Sequence, residues 1–507
     1  MACYLLAVDQ GTTSSRAIVF DKDAKQVASS QRQLSQQFPR PGWVEHDPEE
    51  IWSSVVEVSV DAIRKAGLTP HDIHAIGITN QRETTILWDE TTGKPIYNAI
   101  VWQSRQSAPI CEEIRKNGLE GTVKRKTGLL ADAYFSGSKI SWILRNVPGA
   151  SDLMRKGRLR FGTVDSWLIY KMSGGNDHIT DISNASRTLL YNIHNRCWDQ
   201  ELCDILGIDS TILPSVVDSC GISSYTAPEA FLGHRIPIAG TAGDQQSALF
   251  GQLCFTPGEV KNTFGTGCFM LMNTGDTPFT SKNGLLTTIA WSIDGKTSYA
   301  LEGSVFVAGS AVQWIKDGIG IVGSFEETEA LATSLEDNEG VYFVPAFVGL
   351  GTPYWNQSAR GTLTGITRGT TRAHITRATL ESIAYQTRDV LEAMKLDCGI
   401  SPNKIKVDGG MVQNDFLMGF LADVSGVEVI RPCFQETTAL GAAFLAGLGI
   451  GHWGSIVDLR AIWNLDRTYT PNMPVDVSDK LYSGWKRSVR AALACCEDDN
   501  GVVECSH

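Results

Sequence analysis

In the segment IPIAGTAGDQQSALFGQ (236–252) an aspartate closes an apolar strand, and a helix-forming run follows at once. The carboxyl end of a strand is where α/β proteins place their chemistry. Phosphoryl transfer to an alcohol needs a carboxylate to take the hydroxyl proton, groups that position the reactants, and magnesium, with little covalent help. Asp244 suits that base and Gln245 suits a hydroxyl ligand; the alternative is that Asp244 only caps the helix beginning there. In NQRETT (80–85), Arg82 and Glu83 set a donor beside an acceptor after a buried strand. That pair matches the adjacent hydroxyls of a polyol, or it is a salt bridge on a loop. Tyr134 in DAYFSG (132–137) offers another hydroxyl contact or a core ring, and Trp102 and Phe269 suit apolar walls beside a short carbon chain.

The segment DQGTTSSR (9–16) joins two strand-like runs through a turn of Gly, Thr and Ser. Gly11 lets a phosphate approach the backbone, Thr12, Thr13 and Ser14 add hydroxyl donors, and Arg16 adds charge. Asp9 cannot favourably face a phosphate without a cation between them, so it reads as a magnesium-shell carboxylate acting through water. A plain β-hairpin built from common turn residues is the competing reading. The two common phosphate loops lead into a helix, whereas this one leads into a strand. GEVKNTFGTGCFMLMNTG (258–275) repeats strand, Gly/Thr turn and strand half a chain later, with Thr266 and Gly267 at its turn. Two such loops at that spacing predict a duplicated domain with a ligand between the halves. In VDGGMVQN (407–414), Gly409 and Gly410 let a flat base or ribose lie on the backbone, and Asn414 can bond an adenine edge. Gly309 and Gln313 stand one turn apart in GSVFVAGSAVQW (303–314), a small-residue helix start that packing explains equally well.

The elements that position these residues alternate. Strands are expected at 3–8, 15–20 and 25–34. A helix follows with Asp47 as N-cap, Pro48 at the first position, Glu50 completing a capping box and Gly67 at its end. IHAIGIT (73–79) is a buried strand that stops at NQRETT. In the second half a helix spans about 374–396, with Ala378, Leu380, Ile383, Ala384, Val390 and Leu391 on two adjacent faces. Strand 404–410 then passes into a helix whose stripe includes Phe416, Leu417, Phe420 and Leu421. This rhythm predicts α/β architecture, with a boundary near 250 set by the repeat.

With 507 residues, more than one domain is expected. A formal charge of −12 argues against a nucleic-acid partner, which needs clustered Lys and Arg. The twelve cysteines form no CxxC pair and no zinc-site spacing. HDIH (71–74) reads as a surface turn, and Cys495–Cys496 as free thiols. The chain opens MACYLL without a secretory leader. Its longest apolar run, ALGAAFLAGLGI (439–450), falls short of the ~20 residues of a membrane helix. The ending CSH is no peroxisomal address. These features predict a reducing, cytoplasmic setting without membrane insertion.

Nine segments in order carry a resemblance: DQGTTSSRA (9–17), PGWVEHDP (41–48), GITNQRETT (77–85), YNAIVWQ (97–103), YFSGSKISWILRN (134–146), NASRT (184–188), GDQQSALFGQ (243–252), FGTGCFMLMNTG (264–275) and TLESIAYQTRDVLEAM (379–394). They resemble the glycerol kinases of the FGGY carbohydrate kinase family over roughly residues 4 to 490. The resemblance implies the actin-like, ribonuclease H-like ATPase fold: an N-terminal lobe 1–252 and a C-terminal lobe 253–507, with the active site in the cleft between them. It implies phosphorylation of glycerol to sn-glycerol 3-phosphate by ATP and Mg2+; another polyol or a pentulose is the alternative acceptor. Nucleotide contacts are implied at Thr12, Thr13, Ser14, Arg16, Thr266, Gly309, Gln313, Gly410 and Asn414. Glycerol contacts are implied at Arg82, Glu83, Tyr134, Asp244 and Gln245, with Trp102 and Phe269 packing on the carbons. Asp244 is the implied general base and, with Asp9, stands at the magnesium. Glycerol and ATP/ADP are the implied ligands, and a homodimer or homotetramer the implied assembly. A non-catalytic nucleotide clamp of the same fold needs neither Asp244 nor the hydroxyl ligands. In some relatives a histidine near 230 is modified by a sugar-uptake phosphocarrier protein, and a glycine-rich loop binds fructose 1,6-bisphosphate. Here Ala230 takes that place, His234 is shifted, and the glycine-rich run before Gly233 and Arg235 is missing, so the resemblance leaves both controls open.

Overall fold

Residues 3–495 are described in a computed structural model of the chain. The opening residues pair as an antiparallel hairpin: Tyr4–Gln10 runs against Ser14–Phe20, from Leu5 opposite Phe20 to Gln10 opposite Ser15. The turn is closed by the Gly11 N–H donating to the Ser14 carbonyl at 2.9 Å. Gln26–Gln33 adds a third antiparallel strand, while Ile73–Asn80 lies parallel beside the first and Pro237–Gly243 parallel beside that. The spatial order of this half is therefore third, second, first, fourth, fifth.

The second half repeats the order and the directions. Val260–Phe264 pairs antiparallel with Cys268–Gly275, which pairs antiparallel with Lys296–Val305. Lys404–Asp408 lies parallel to Val260–Phe264, and Glu428–Pro432 parallel to Lys404–Asp408. Leu286–Ile293 and Cys220–Tyr225 join the two halves into one thirteen-stranded sheet. The duplication inferred from two Gly/Thr turns is thus present as a repeated strand order, and the α/β architecture is as expected.

Helix Pro48–Lys65 starts as its sequence predicts, with the Asp47 carboxylate accepting from the Glu49 N–H at 2.8 Å. It buries Ile51, Val55, Val58, Ala62 and Ile63, and Gly67 beyond its end has φ +70°. The capping box does not form. Glu50 instead accepts from the Ser35 N–H and hydroxyl at 3.1 Å each, because the loop that follows strand Gln26–Gln33 brings two donors to it. Helix Arg372–Cys398 ends at Gly399, φ +72°. Helix Asp415–Ser425 buries Leu417, Phe420 and Leu421, while Phe416 stays half-buried beneath the Arg377 guanidinium.

The apolar run at 439–450 becomes helix Thr437–Gly449, which crosses from the second half to pack on strands of the first. Its core partners include Leu5, Ala7, Ala239, Leu249 and Phe250. Backbones touch there: a Cβ on Gly441 would stand 1.8 Å from the Ser247 carbonyl oxygen, and one on Gly77 would stand 2.2 Å from that of Ala442. Small residues are required for this approach, so the run is a buried helix. No helix among the described residues is long and apolar enough to cross a membrane. The cysteines among the described residues are free thiols, and Cys496 lies outside them.

Candidate active site

Strand Pro237–Gly243 ends where helix Asp244–Gly251 begins, with Gly243 at the N-cap position and Asp244 at the first helical residue. Asp244 is therefore not the cap. Its carboxylate sits on the positive end of the helix, accepts from the Gln245 N–H at 2.7 Å and lies 3.2 Å from Arg82 Nε. The turn is held from below: the Gly243 N–H donates to Ser183 Oγ at 3.0 Å, and Ser183 Oγ donates to Asp181 at 3.0 Å. The buried Asp181 carboxylate also accepts from the Ser183 and Asn184 N–H groups and from Ser219 Oγ.

Arg82 and Glu83 belong to a buried four-charge network rather than to a surface bridge. Arg82 donates to Glu302 through Nη1 at 2.6 Å and Nη2 at 3.0 Å; Arg187 donates to Glu83 through Nε at 2.6 Å and to Glu302 through Nη2 at 3.0 Å. All four are at most 2 % exposed, whereas Asp244 at the edge is 30 % exposed. Burial acts to raise the Glu302 carboxyl, but Arg187 and Arg82 overcome it and bring it down to about 2. Glu83 is pushed up by burial, which outweighs the opposing charges of Arg187 at 2.6 Å and Arg82 at 3.9 Å. Its backbone takes φ +60°, a left-handed conformation that costs a non-glycine residue ~1–3 kcal/mol. Ser136 and Thr85 hydroxyls each donate to its carbonyl at 3.0 Å and hold it there.

Tyr134, Trp102 and Phe269 come together as expected: Trp102 meets the Tyr134 ring at 5.5 Å and the Phe269 ring at 6.2 Å, both edge-on. Trp102 Nε1 donates to Thr12 Oγ1 at 2.8 Å, tying the aromatic wall to the first hairpin. Beside that hairpin, Ser14 Oγ accepts from Gln31, and Arg16 pairs with Gln31 and with Glu436. Asp9 is partly buried; burial first, then the facing Asp244 carboxylate, raises it to about 7, with Arg16 opposing.

On the other side, the exposed Thr266 turn carries the start of helix Gly309–Gln313: the Thr266 carbonyl accepts from the Ala308 and Ser310 N–H groups at 2.9 and 3.1 Å. Packing accounts for Gly309, whose Cβ would stand 2.6 Å from the Gly265 carbonyl oxygen, and for Gly409, φ +92°, against Phe264. No packing demand falls on Gly410: it is exposed, and a Cβ there meets nothing within 4 Å. The exposed Gln313 bonds Asp317. Asn414 caps helix Asp415–Ser425, accepting from the Leu417 N–H at 2.9 Å, and donates to Thr328 at 3.2 Å. His71 packs on the His234 ring at 4.2 Å, the surface turn expected of HDIH. No group of three or more His, Cys, Asp or Glu able to hold a metal occurs among the described residues.

Sequence reasoning missed Glu302, Arg187, Ser183 and Lys261. The available signal for Glu302 was a lone charge inside an apolar strand, SYALEGSVFV (298–307), where burial demands a charged partner.

The N-terminal domain of the FGGY family of carbohydrate kinases matches residues 4–251, and the C-terminal domain matches 260–450. The chain is 58 % identical to glycerol kinase 2 of Thermotoga maritima over 490 residues, which is 97 % of this chain and 99 % of that protein. It is 57 % identical to the glycerol kinase of Geobacillus kaustophilus over 491 residues, with 97 % and 99 % covered. Among solved structures, Plasmodium falciparum glycerol kinase with ADP superposes with a TM-score of 0.91 at 36 % identity, covering 97 % of this chain and 98 % of that one. With a repeated strand order, a strand-end carboxylate and matches to both family domains, the chain belongs to the FGGY family of carbohydrate kinases.

Proposed function

We propose that the protein transfers the γ-phosphoryl group of ATP to glycerol, giving sn-glycerol 3-phosphate and ADP. One observation carries the reading: a strand-end carboxylate, Asp244, lies 3.2 Å from an arginine that is itself locked by buried carboxylates beside a small aromatic wall. The relatives named glycerol kinase support it over nearly the whole chain. Asp244 takes the proton of the attacking hydroxyl; that oxygen bonds the γ-phosphorus, and the bond to the ADP oxygen breaks. Arg82 and Gln245 give hydrogen bonds to the acceptor, Glu83 receives one, and the Tyr134 hydroxyl is a further ligand. Trp102 and Phe269 pack on the carbon chain and limit its length.

The nucleotide lies between the hairpins. Thr12, Thr13, Ser14 and Arg16 serve its phosphates from the first, where Arg16 must exchange Glu436 for phosphate oxygen. Thr266 serves from the second. Gly309, Gln313, Gly410 and Asn414 face the adenosine, with the open backbone at Gly410 the natural platform. Lobes 1–252 and 253–507 close over both substrates and exclude water, which otherwise competes for the phosphoryl group.

Burial first, and then the charge of Asp244 beside the first hairpin, raise the Asp9 carboxyl. The hard oxygen donors of these two carboxylates fit Mg2+, which keeps several waters and is bound through one or two carboxylates together with substrate phosphates. When bound there, the ion neutralises developing charge on the phosphates. The test is Asp244→Asn: ATP and glycerol binding measured by calorimetry stay within about threefold, while turnover falls by about 10³ or more. Near-normal turnover overturns the base assignment.

A further inference from the structure

Lys261 occupies the second position of strand Val260–Phe264 and is fully buried. A buried ammonium needs an acceptor for each of its three N–H bonds, and it has three: Gln245 Oε1, Thr263 Oγ1 at 2.9 Å and the Phe269 carbonyl at 3.2 Å. Gln245 and Phe269 both border the acceptor pocket proposed above. An ammonium cannot accept a hydrogen bond, so only the oxygen of the Gln245 amide can face it. The amide is thereby locked, and its Nε2 is left without a protein partner among the described residues. The atom is not sealed off from solvent, although the residue as a whole is only 8 % exposed.

We infer that Lys261 is a positioning residue which makes Gln245 an obligate donor to an acceptor hydroxyl oxygen. The consequence is directional. A hydroxyl that receives a hydrogen bond from Gln245 must send its own proton elsewhere, and the acceptors at hand are the Asp244 and Glu83 carboxylates. Without Lys261 the amide turns freely about its last torsion and presents either its oxygen or its nitrogen. A hydroxyl bonded to the oxygen then points its proton away from Asp244. The inference rests on Gln245 being an acceptor ligand, and the experiment separates the two claims.

Lys261→Met, Lys261→Gln, Gln245→Leu and the double variant Lys261→Met/Gln245→Leu are compared by steady-state kinetics with glycerol and with Mg-ATP varied in turn. Gln245→Leu is expected to raise the glycerol KM about tenfold, the worth of one hydrogen bond of about 1.4 kcal/mol. Lys261→Met is expected to raise it several-fold with the ATP KM changed by less than about twofold. The double variant should match Gln245→Leu alone, because Lys261 acts only through that amide. Lys261→Gln retains a donor toward Oε1; it should recover most of the lost affinity, and it carries the test if the methionine variant does not fold. Multiplying effects in the double variant, or equal changes in the glycerol and ATP KM values, overturn the positioning role. An unchanged glycerol KM in Gln245→Leu overturns the acceptor-ligand reading itself, and the inference with it.

Discussion

Replacing Glu302 by glutamine tests whether the buried charge network holds Arg82, the arginine proposed to bind the acceptor. The carboxylate accepts three N–H bonds, two from Arg82 and one from Arg187, with no exposure to water. An amide of the same shape has one oxygen, and its NH2 must then point at a guanidinium, donor against donor. Removing one partner of a buried ion pair costs about 3–5 kcal/mol. Arg187 and Arg82 outweigh burial and hold the carboxyl down at about 2, so the charged form stabilises the fold. For a cooperative unit of about 250 residues, ~3 kcal/mol lowers the unfolding midpoint by roughly 6–12 °C. Scanning calorimetry measures that shift, and steady-state kinetics should show the glycerol KM raised at least about tenfold, because Arg82 loses its bidentate anchor. A midpoint within about 1 °C of wild type together with an unchanged glycerol KM would mean that Glu302 does not anchor Arg82.

The same network sets an acid limit. The Glu302 carboxyl is depressed in the folded protein, so its contribution is fully present above pH ~4.3 and is lost as pH falls toward 2. Unfolding midpoints scanned over that window should fall more steeply for wild type than for Glu302→Gln. Ser183→Ala removes the hydroxyl that accepts from Gly243 and donates to Asp181. The orphaned N–H costs about 1–3 kcal/mol, and kcat should fall about tenfold while the ATP KM stays unchanged. Gly441→Ala forces a methyl group to 1.8 Å from the Ser247 carbonyl oxygen and should cost at least about 1–3 kcal/mol. Gly419→Ala, in helix Asp415–Ser425 with nothing within 4 Å, should instead stabilise by about 0.4–1 kcal/mol. Calorimetry on the two glycine variants decides both.

Local chemistry made much of this structure readable. Gly11 and Gly265 mark turns between apolar runs, and those runs are the first two strands of each repeat. Asp244 stood out because a carboxylate follows directly on an apolar strand. Arg82 and Glu83 are adjacent in the chain and lie 3.9 Å apart, but their closest charged partners are Glu302 and Arg187, 220 and 104 residues away in the chain. No local pattern carries that pairing; only the sheet brings strand Lys296–Val305 and the segment after Ile73–Asn80 together. Glu50 shows the reverse error: its spacing from Asp47 fits a capping box, yet tertiary donors on Ser35 win. The small residues of Thr437–Gly449 likewise read as apolar sequence until the backbone contacts with Ser247 and Ala442 explain why they are small.

An acceptor pocket that fits three carbons, as proposed, should make glycerol the preferred substrate. Coupled ADP release with Mg-ATP measures this directly, comparing glycerol, xylulose, ribulose, erythritol and no acceptor. Strong turnover with glycerol, far above every longer acceptor and the blank, is the predicted result. Faster turnover with a pentulose, or ADP release that does not depend on the acceptor, contradicts the account.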